Sequence, residues 1–226
     1  MALMIFLVSA IAALLTLWMT WIHKTGVAPD SMIYISMAHH LAAGKGASVY
    51  LALFSETSDP IAAWPPAYAA ILAVPFTLFK IHPVETAWIL NLTLLGANLY
   101  VVGRILYEET SSRVAALIAM LVLVFNIEWI TMSLWILSEP AYLFFINAGL
   151  WMLMRSLRSG NSRLLIFAAL LTSVVPMLRY IGAAFIGTGA LATLFLWKGN
   201  VKAKFKNATI FWIDFVDSAD SLVDSQ

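Results

Sequence analysis

Residues 1–22 read MALMIFLVSAIAALLTLWMTWI, and none of these side chains is charged. A helix of about 20 mostly apolar residues is long enough to cross the hydrocarbon core of a bilayer. The stretch lacks the basic start and the small-residue cleavage site that are typical of a secretory signal peptide. It therefore predicts a membrane anchor that is retained in the protein.

The composition of the whole chain also indicates a membrane protein. Of the 226 residues, 62% are hydrophobic and only 11% are charged, whereas soluble domains contain about 25% charged residues. This balance excludes both a soluble monomer and an intrinsically disordered chain. The net charge of +1 gives no indication of nucleic-acid binding, and the absence of cysteine excludes disulfides, thiolate zinc sites and a cysteine nucleophile.

Further apolar stretches predict additional membrane helices. They lie at residues 84–106, 114–130, 134–154, 164–178 and 181–197. The sequence thus predicts an all-α, polytopic membrane helix bundle with about six transmembrane helices. Residues 65–79 are also apolar, but this segment is short and rich in proline. We interpret it as a juxtamembrane helix within a long first outer loop, residues 23–83.

The distribution of lysine and arginine supports that interpretation. If residues 65–79 do not span and the N-terminus is cytoplasmic, nine basic residues lie inside and four outside. If they do span, two lie inside and eleven outside. Because cytoplasmic loops are enriched in basic residues, the first topology is favoured. We expect an integral protein of a bacterial inner or plasma membrane, with its site on the outer face.

Asp30 follows the first span and precedes a stretch, residues 31–43, that contains no helix breaker and ends at Gly44. One interpretation is that Asp30 caps a juxtamembrane helix. The other is that it is a general base at the membrane boundary, and the two are compatible. Tyr34 lies one helical turn further along and is predicted to share the same face.

Two more charged residues stand out. Glu139 precedes Pro140 at the predicted start of a membrane helix, where it either caps that helix or belongs to a site. Arg179 lies at the outer junction of the last two predicted spans. It either forms a structural ion pair with Glu139 or Glu128, or it binds a phosphate group.

Four sequence motifs occur in a characteristic order: PDSMIYISMAHHLAAGKG at 29–46, WPPAYAAILAVPF at 64–76, ILSEPAYLFF at 136–145 and LRYIG at 178–182. This arrangement resembles the GT-C superfamily of membrane glycosyltransferases. It is most similar to the protein O-mannosyltransferase, aminoarabinose transferase and lipopolysaccharide core transferase type. The resemblance covers residues 1–197 and corresponds to the N-terminal part of such proteins, which are generally longer.

The resemblance implies transfer of a sugar from a polyprenyl-phosphate carrier to a glycan, lipid or protein acceptor. It implies that Asp30 is the catalytic base and that Glu139 and Tyr34 orient the acceptor or a metal. Arg179 would bind the donor phosphate, although its motif is Arg179-Tyr180-Ile181-Gly182 and lacks the proline that usually follows the arginine. In the first outer loop, Pro66 and Tyr68 would shape the segment over the carrier. No cofactor is certain, and a divalent metal is one option.

The end of the chain differs in character from the rest. Residues 208–216 are too short to span a membrane and contain Asp214, and the chain beyond them is small, polar and acidic. Because residues 207–226 do not resemble the corresponding region of the superfamily, we expect a module at 1–206 followed by an acidic tail. A shortened enzyme is one explanation. The alternative function is a non-catalytic polytopic membrane protein, such as an inactive fragment, a scaffold or a transporter-like bundle.

Overall fold

The structure is a computed structural model that describes residues 1–49, 59–60 and 63–211. Its described part is almost entirely helical. The helices before the predicted third span are α1 (Ala2–Thr20), α2 (Pro29–Ala42), α3 (Ala67–Phe79) and α4 (Pro83–Thr110). Two short antiparallel strands, β1 (Ser48–Val49) and β2 (Asp59–Pro60), follow α2.

The remaining helices are shorter, apart from α7. They are α5 (Arg113–Val124), α6 (Ile127–Leu134), α7 (Glu139–Ser159), α8 (Ser162–Ser173), α9 (Val175–Leu178) and α10 (Ala183–Leu196), and a 3-10 turn at Tyr180–Gly182 precedes α10. Residues 201–211 are also helical and are called α11. The prediction of an all-α membrane protein is confirmed.

Two helices are long and apolar enough to cross a membrane, α1 and α4, and a third span results if α5 and α6 are counted together. The prediction of six spans therefore stays a prediction. In α7 the apolar run is interrupted by polar residues such as Asn147 and Arg155, which lower its mean hydropathy. Helices α3, α8 with α9, and α10 are apolar but shorter than a full span.

The prediction of a continuous helix over residues 114–130 is wrong. The chain bends by 57° between α5 and α6. The cause is local, because Asn126 accepts a hydrogen bond from the Trp129 amide at 3.0 Å and so caps a new helix. The predicted helix at 164–178 is likewise divided, into α8 and α9, beside Pro176.

The described residues form two compact units. The first comprises Met1–Ile61 and Tyr68–Phe144, and the second comprises Ala62–Ala67 and Phe145–Gln226. In the first unit, α1 packs against α4 where Gly103 leaves room, since a Cβ there would lie 2.6 Å from the Met120 sulfur and 2.9 Å from Ile5. Close approach at small residues is typical of membrane helix pairs. At the other end of the pair, the Trp88 indole donates to the Thr20 hydroxyl at 2.8 Å.

In the second unit, α8, α10 and α11 share a core that includes Leu165, Ile186 and Phe211. Phe211 is 1% exposed and sits against Gly189, where a Cβ would lie 2.6 Å from its ring. Helix α11 thus continues through residue 206, the predicted end of the membrane module, and packs as part of this unit. The boundary at 206 itself stays a prediction, and residues 212–226 lie outside the described part of the chain.

Candidate active site

The segment that leads into α7 is held in place by hydrogen bonds from the chain around α2. We call residues 134–140 the acid turn, because it ends at Glu139 and Pro140. The Gly26 amide and the Thr25 hydroxyl both donate to the Leu134 carbonyl, at 2.6 and 2.9 Å. The Ile136 amide donates to the Gly26 carbonyl at 3.1 Å. A short parallel β-bridge therefore joins the end of the first span to the acid turn.

Helix α2 itself adds two contacts to the acid turn. The Ser31 hydroxyl donates to the Ile136 carbonyl at 2.8 Å, and Ser31 is fully buried. The Tyr34 and Ser138 hydroxyls share a hydrogen bond at 3.1 Å. Since both contacts lie within the first turns of α2, the start of this helix and the acid turn form one hydrogen-bonded assembly.

Helix α4 holds the same turn from another side. The Asn91 side-chain amide donates to the Trp135 carbonyl at 2.7 Å, and the Asn98 amide donates to the Pro140 carbonyl at 3.0 Å. Both asparagines are at most 1% exposed. Burying a side-chain amide costs free energy unless the amide is hydrogen-bonded. These two contacts give the buried amides their acceptors and at the same time hold the acid turn against α4.

Two tyrosines stand next to the acid turn. The rings of Tyr34 and Tyr68 meet edge to face with centroids 5.0 Å apart, and both residues are buried. Burial raises the pKa of the Tyr68 phenol well above its usual range, and the nearby Tyr34 and Glu139 raise it further. The Tyr68 hydroxyl therefore stays protonated and acts as a hydrogen-bond donor, with the Asn91 Oδ1 as its acceptor at 3.5 Å.

Asp30 lies in the first turn of α2 and its side chain is exposed. The interpretation of Asp30 as the N-cap is wrong, because the helix begins at Pro29 and its N-cap is Ala28. Ser31 takes over the capping, since its Oγ accepts a hydrogen bond from the Ala28 amide at 2.8 Å. Within the described residues the Asp30 carboxylate has no hydrogen bond and no ion pair, and it is exposed at the boundary of the site.

Arg179 and Pro66 belong to the second unit, whereas Asp30, Tyr34, Tyr68 and Glu139 belong to the first. Arg179 is half-buried and has an extended backbone between α9 and the 3-10 turn. Its carbonyl accepts a hydrogen bond from the Gly182 amide at 2.8 Å.

The glycine of the Arg179 motif has a clear packing reason. A Cβ at Gly182 would lie 2.5 Å from the Val175 Cγ1 and 2.7 Å from the Val175 carbonyl carbon. The Arg179-Tyr180-Ile181-Gly182 turn can therefore fold back onto α9 only with glycine at its end. Pro66 is half-buried and directly precedes α3.

Three residues of this site, Asn91, Asn98 and Ser31, were not expected from the sequence, and Ser138 was considered only as an alternative cap before Pro140. A signal was present for the asparagines, which are seven residues apart and therefore lie on one face of a helix that is otherwise apolar. Serine gives no such signal, because a serine hydroxyl is common both at helix caps and on surfaces that face solvent. Within the described residues, no three His, Cys, Asp or Glu side chains come together to hold a metal.

Comparison with known families gives the class of this protein. It is an integral membrane glycosyltransferase of the GT-C type. The model of the dolichyl-phosphate-mannose-protein mannosyltransferase family matches residues 61–222, and the chain belongs to this family. The match includes Pro66, Tyr68, Glu139 and Arg179 and begins after Asp30 and Tyr34. No curated protein and no solved structure matches the chain.

Proposed function

We propose that this glycosyltransferase moves a sugar from a polyprenyl-phosphate carrier to an acceptor on the outer face of the membrane. The acceptor is a glycan, a lipid or a protein. The observation that carries the proposal is the acid turn, which five side chains and one β-bridge fix next to the start of α2. A carboxylate that takes part in proton transfer must be held within hydrogen-bond reach of its partner, and this assembly supplies such a rigid frame.

Asp30 is the base in the proposed reaction. It takes the proton from the acceptor hydroxyl as that oxygen attacks the anomeric carbon of the sugar. The bond between the anomeric carbon and the phosphate oxygen breaks, and the carrier phosphate leaves with the bonding electron pair. Because the acceptor attacks opposite the leaving phosphate, the configuration at the anomeric carbon is inverted.

Other residues bind and orient the two substrates. Glu139, supported by Tyr34 and the Tyr68 phenol, orients the acceptor hydroxyl. Arg179 binds the donor phosphate and stabilises the negative charge that develops on it as the bond breaks. Pro66 and Tyr68 shape the segment that leads into α3, over the carrier.

The first unit also contains an apolar cavity of about 280 Å³ beside α1, α4 and the break between α5 and α6. Its walls include Leu15, Leu99 and Ile130, and it ends at Leu134, where the acid turn begins. An apolar cavity next to membrane-spanning helices suits a hydrocarbon chain. This position supports a lipid-linked donor over a nucleotide sugar.

The proposed topology has a cytoplasmic N-terminus in a bacterial inner membrane. The support is that this topology places most of the lysine and arginine residues on the cytoplasmic side of the membrane. It also places α2 and the acid turn on the outer side. A cysteine introduced at Asp30 or at Ala43, in a chain that has no native cysteine, would react with a membrane-impermeant maleimide added outside the cell. Labelling only after the membrane is opened would contradict this topology.

The catalytic assignment is tested by sugar transfer in membranes that contain the protein. The donors are a polyprenyl-phosphate-linked sugar and, separately, a nucleotide sugar. We expect transfer only from the lipid-linked donor and a loss of at least about a hundredfold in Asp30→Asn, which is typical for removal of a general base. Glu139→Gln and Arg179→Gln should also lower the rate.

The matched controls are Glu85→Gln and Glu128→Gln, which remove exposed carboxylates in the first turns of α4 and α6. These variants should keep the full rate. Undiminished transfer by Asp30→Asn would overturn its role as the base. No transfer from any lipid-linked sugar by the unaltered protein would favour the non-catalytic alternative.

A further inference from the structure

The second unit has an unusual charge distribution. From residue 145 to residue 211 the chain has eight lysine and arginine residues and no aspartate or glutamate. The eight are Arg155, Arg158, Arg163, Arg179, Lys198, Lys202, Lys204 and Lys206. The four aspartates of this unit, Asp214, Asp217, Asp220 and Asp224, follow this run and lie outside the described residues. A run of positive charge attracts anionic partners.

Most of these charges gather at one end of the unit. The Lys198 ammonium donates to the Arg158 carbonyl at 2.7 Å, which brings the residues after α10 next to the end of α7. Arg155 and Arg158 lie in the last turns of α7, and Arg163 lies in the first turn of α8 a few residues later. Arg179 lies beyond α9, after the opposite end of α8.

Helix α11 is attached at this basic end with a defined orientation. The Asn200 side chain caps its start by accepting from the Ala203 amide at 2.9 Å, and the Lys204 ammonium donates to the Phe195 carbonyl at 3.1 Å. Ala208 and Phe211 are buried in the core of the unit. These contacts determine which face of α11 is buried against the unit and which face is exposed.

The outward face of α11 combines lysines with large apolar side chains. Lys202 and Lys206 are exposed, and so are Val201, at 67%, and Phe205, at 58%. Each pair is spaced four residues apart, so both pairs lie on the same side of the helix. Apolar side chains flanked by lysines are typical of helices that lie in the interface of a membrane.

The position of α11 in the chain favours a membrane over a soluble partner. Helix α10 ends in Phe195 and Leu196, which are 69% and 64% exposed, as side chains that face lipid would be. Val201 follows Leu196 by five residues, a distance of at most about 18 Å for a fully extended chain. In the proposed topology α10 ends at the cytoplasmic face of the membrane, so this spacing holds the start of α11 close to the surface of the bilayer.

We propose that α11 and the basic end of the second unit form a binding surface for anionic phospholipids. Lys202 and Lys206 bind the phosphate groups of the lipids, and Arg155, Arg158 and Lys198 add to the attraction. Val201 and Phe205 insert at the boundary between headgroups and acyl chains. None of these residues has a role in the proposed reaction, so the proposal does not depend on it.

The test uses the absence of native cysteine to place a single probe. Phe205→Cys is labelled with an environment-sensitive fluorophore, and the full chain is placed in nanodiscs of phosphatidylcholine with increasing phosphatidylglycerol. We expect a blue shift that grows with the anionic fraction, quenching by brominated acyl chains and reversal by high salt.

A charge-deleted variant identifies the residues responsible. Lys202→Gln with Lys206→Gln should require a severalfold higher anionic fraction for the same shift, whereas Lys202→Arg with Lys206→Arg should behave like the parent. The matched control is Lys45→Gln with Lys80→Gln, which removes the same charge from the first unit and should leave the shift unchanged.

Two results would overturn the proposal. One is a probe signal that is the same with and without phosphatidylglycerol. The other is a signal that responds to heparin or RNA in nanodiscs without anionic lipid but not to phosphatidylglycerol, which would assign the surface to a soluble polyanion. Size-exclusion elution and helical circular dichroism establish whether each variant is folded. If the glutamine variant does not fold, the arginine variant and the dependence of the probe signal on phosphatidylglycerol still decide the test.

Discussion

The Tyr34 hydroxyl lies 3.1 Å from the Ser138 hydroxyl, although the two residues are 104 positions apart in the chain. This contact joins the helix that follows the first span to the turn that carries Glu139. Each residue belongs to a separate sequence motif, and the fold makes them one polar cluster. The cluster gives a set of predictions that do not depend on knowing the sugar or the acceptor.

A double-mutant cycle measures this contact directly. Tyr34→Phe and Ser138→Ala should each lower the free energy of unfolding by about 1 kcal/mol. Each substitution removes one hydroxyl of the pair and leaves the other, which is buried, without this hydrogen bond. The double variant should lose less than the sum of the two, since both substitutions remove the same hydrogen bond. Unfolding in mixed micelles with increasing SDS measures all four proteins. Strict additivity would show that the two hydroxyls do not interact.

The asparagines of α4 should control how well the acid turn is held. Asn98→Ala and Asn91→Ala each remove a buried donor to a turn carbonyl, and each should cost about 1–3 kcal/mol of stability. If the turn positions Glu139, both variants should also lower kcat more than they raise KM in the transfer assay. Thr93→Ala, an exposed change on the same helix, is the control for both measurements. An unchanged kcat in a folded Asn98→Ala protein would contradict a positioning role.

The two glycines at the start of the last apolar region should respond differently to alanine. In Gly182→Ala the new methyl would overlap the Val175 backbone and side chain, so we expect a loss of about 1–3 kcal/mol. Gly187→Ala, where nothing lies within 4 Å of a Cβ, should be neutral or slightly stabilising. Thermal unfolding followed by tryptophan fluorescence compares them. Equal melting temperatures would show that the Arg179 turn is not packed tightly against α9.

The raised pKa of Tyr68 predicts that the free energy of unfolding falls at high pH. The unfolded chain releases the phenol proton near the ordinary pKa of about 10, whereas the folded chain still holds it. Above that pH the unfolded state binds fewer protons, so stability falls as pH rises. Below it, Tyr68 contributes no pH dependence.

Replacing Tyr68 with phenylalanine should remove part of this alkaline loss. The slope of unfolding free energy against pH above about pH 10 should become shallower in Tyr68→Phe, and the slope between neutral pH and that point should be unchanged. SDS unfolding at a series of pH values measures both ranges. A slope at high pH that matches the parent would contradict the burial of the Tyr68 phenol.

Several features were predictable because they depend on local sequence. The charge-free first stretch predicts α1, and Gly44 has a φ of +73° just after α2, as a helix-ending glycine should. The start of α7 at Glu139 and Pro140 agrees with the preference of proline for the first helical turn. The break at Asn126 was missed, because an apolar pattern shows where a helix can form but does not show that a side chain caps a new one.

The candidate site was predictable only in part. The acid residues stood out because charge is rare in this chain, and Arg179 stood out for the same reason. The role of Asp30 as a helix cap was predicted wrongly, since the helix begins one residue earlier, at Pro29, and the Ser31 hydroxyl accepts a hydrogen bond from the amide of the N-cap residue Ala28. The buried asparagines became meaningful only when their donors were seen to meet the carbonyls of the acid turn.

The sequence by itself determined that this is a helical membrane protein, because hydropathy and the scarcity of charge act residue by residue along the chain. It also determined the family, through motifs that keep their order. Only the tertiary structure decided that Thr25, Ser31, Tyr34, Asn91 and Asn98 converge on one turn. Hydrogen bonds between residues so distant in the chain depend on how α1, α2 and α4 pack, and no local pattern carries that information.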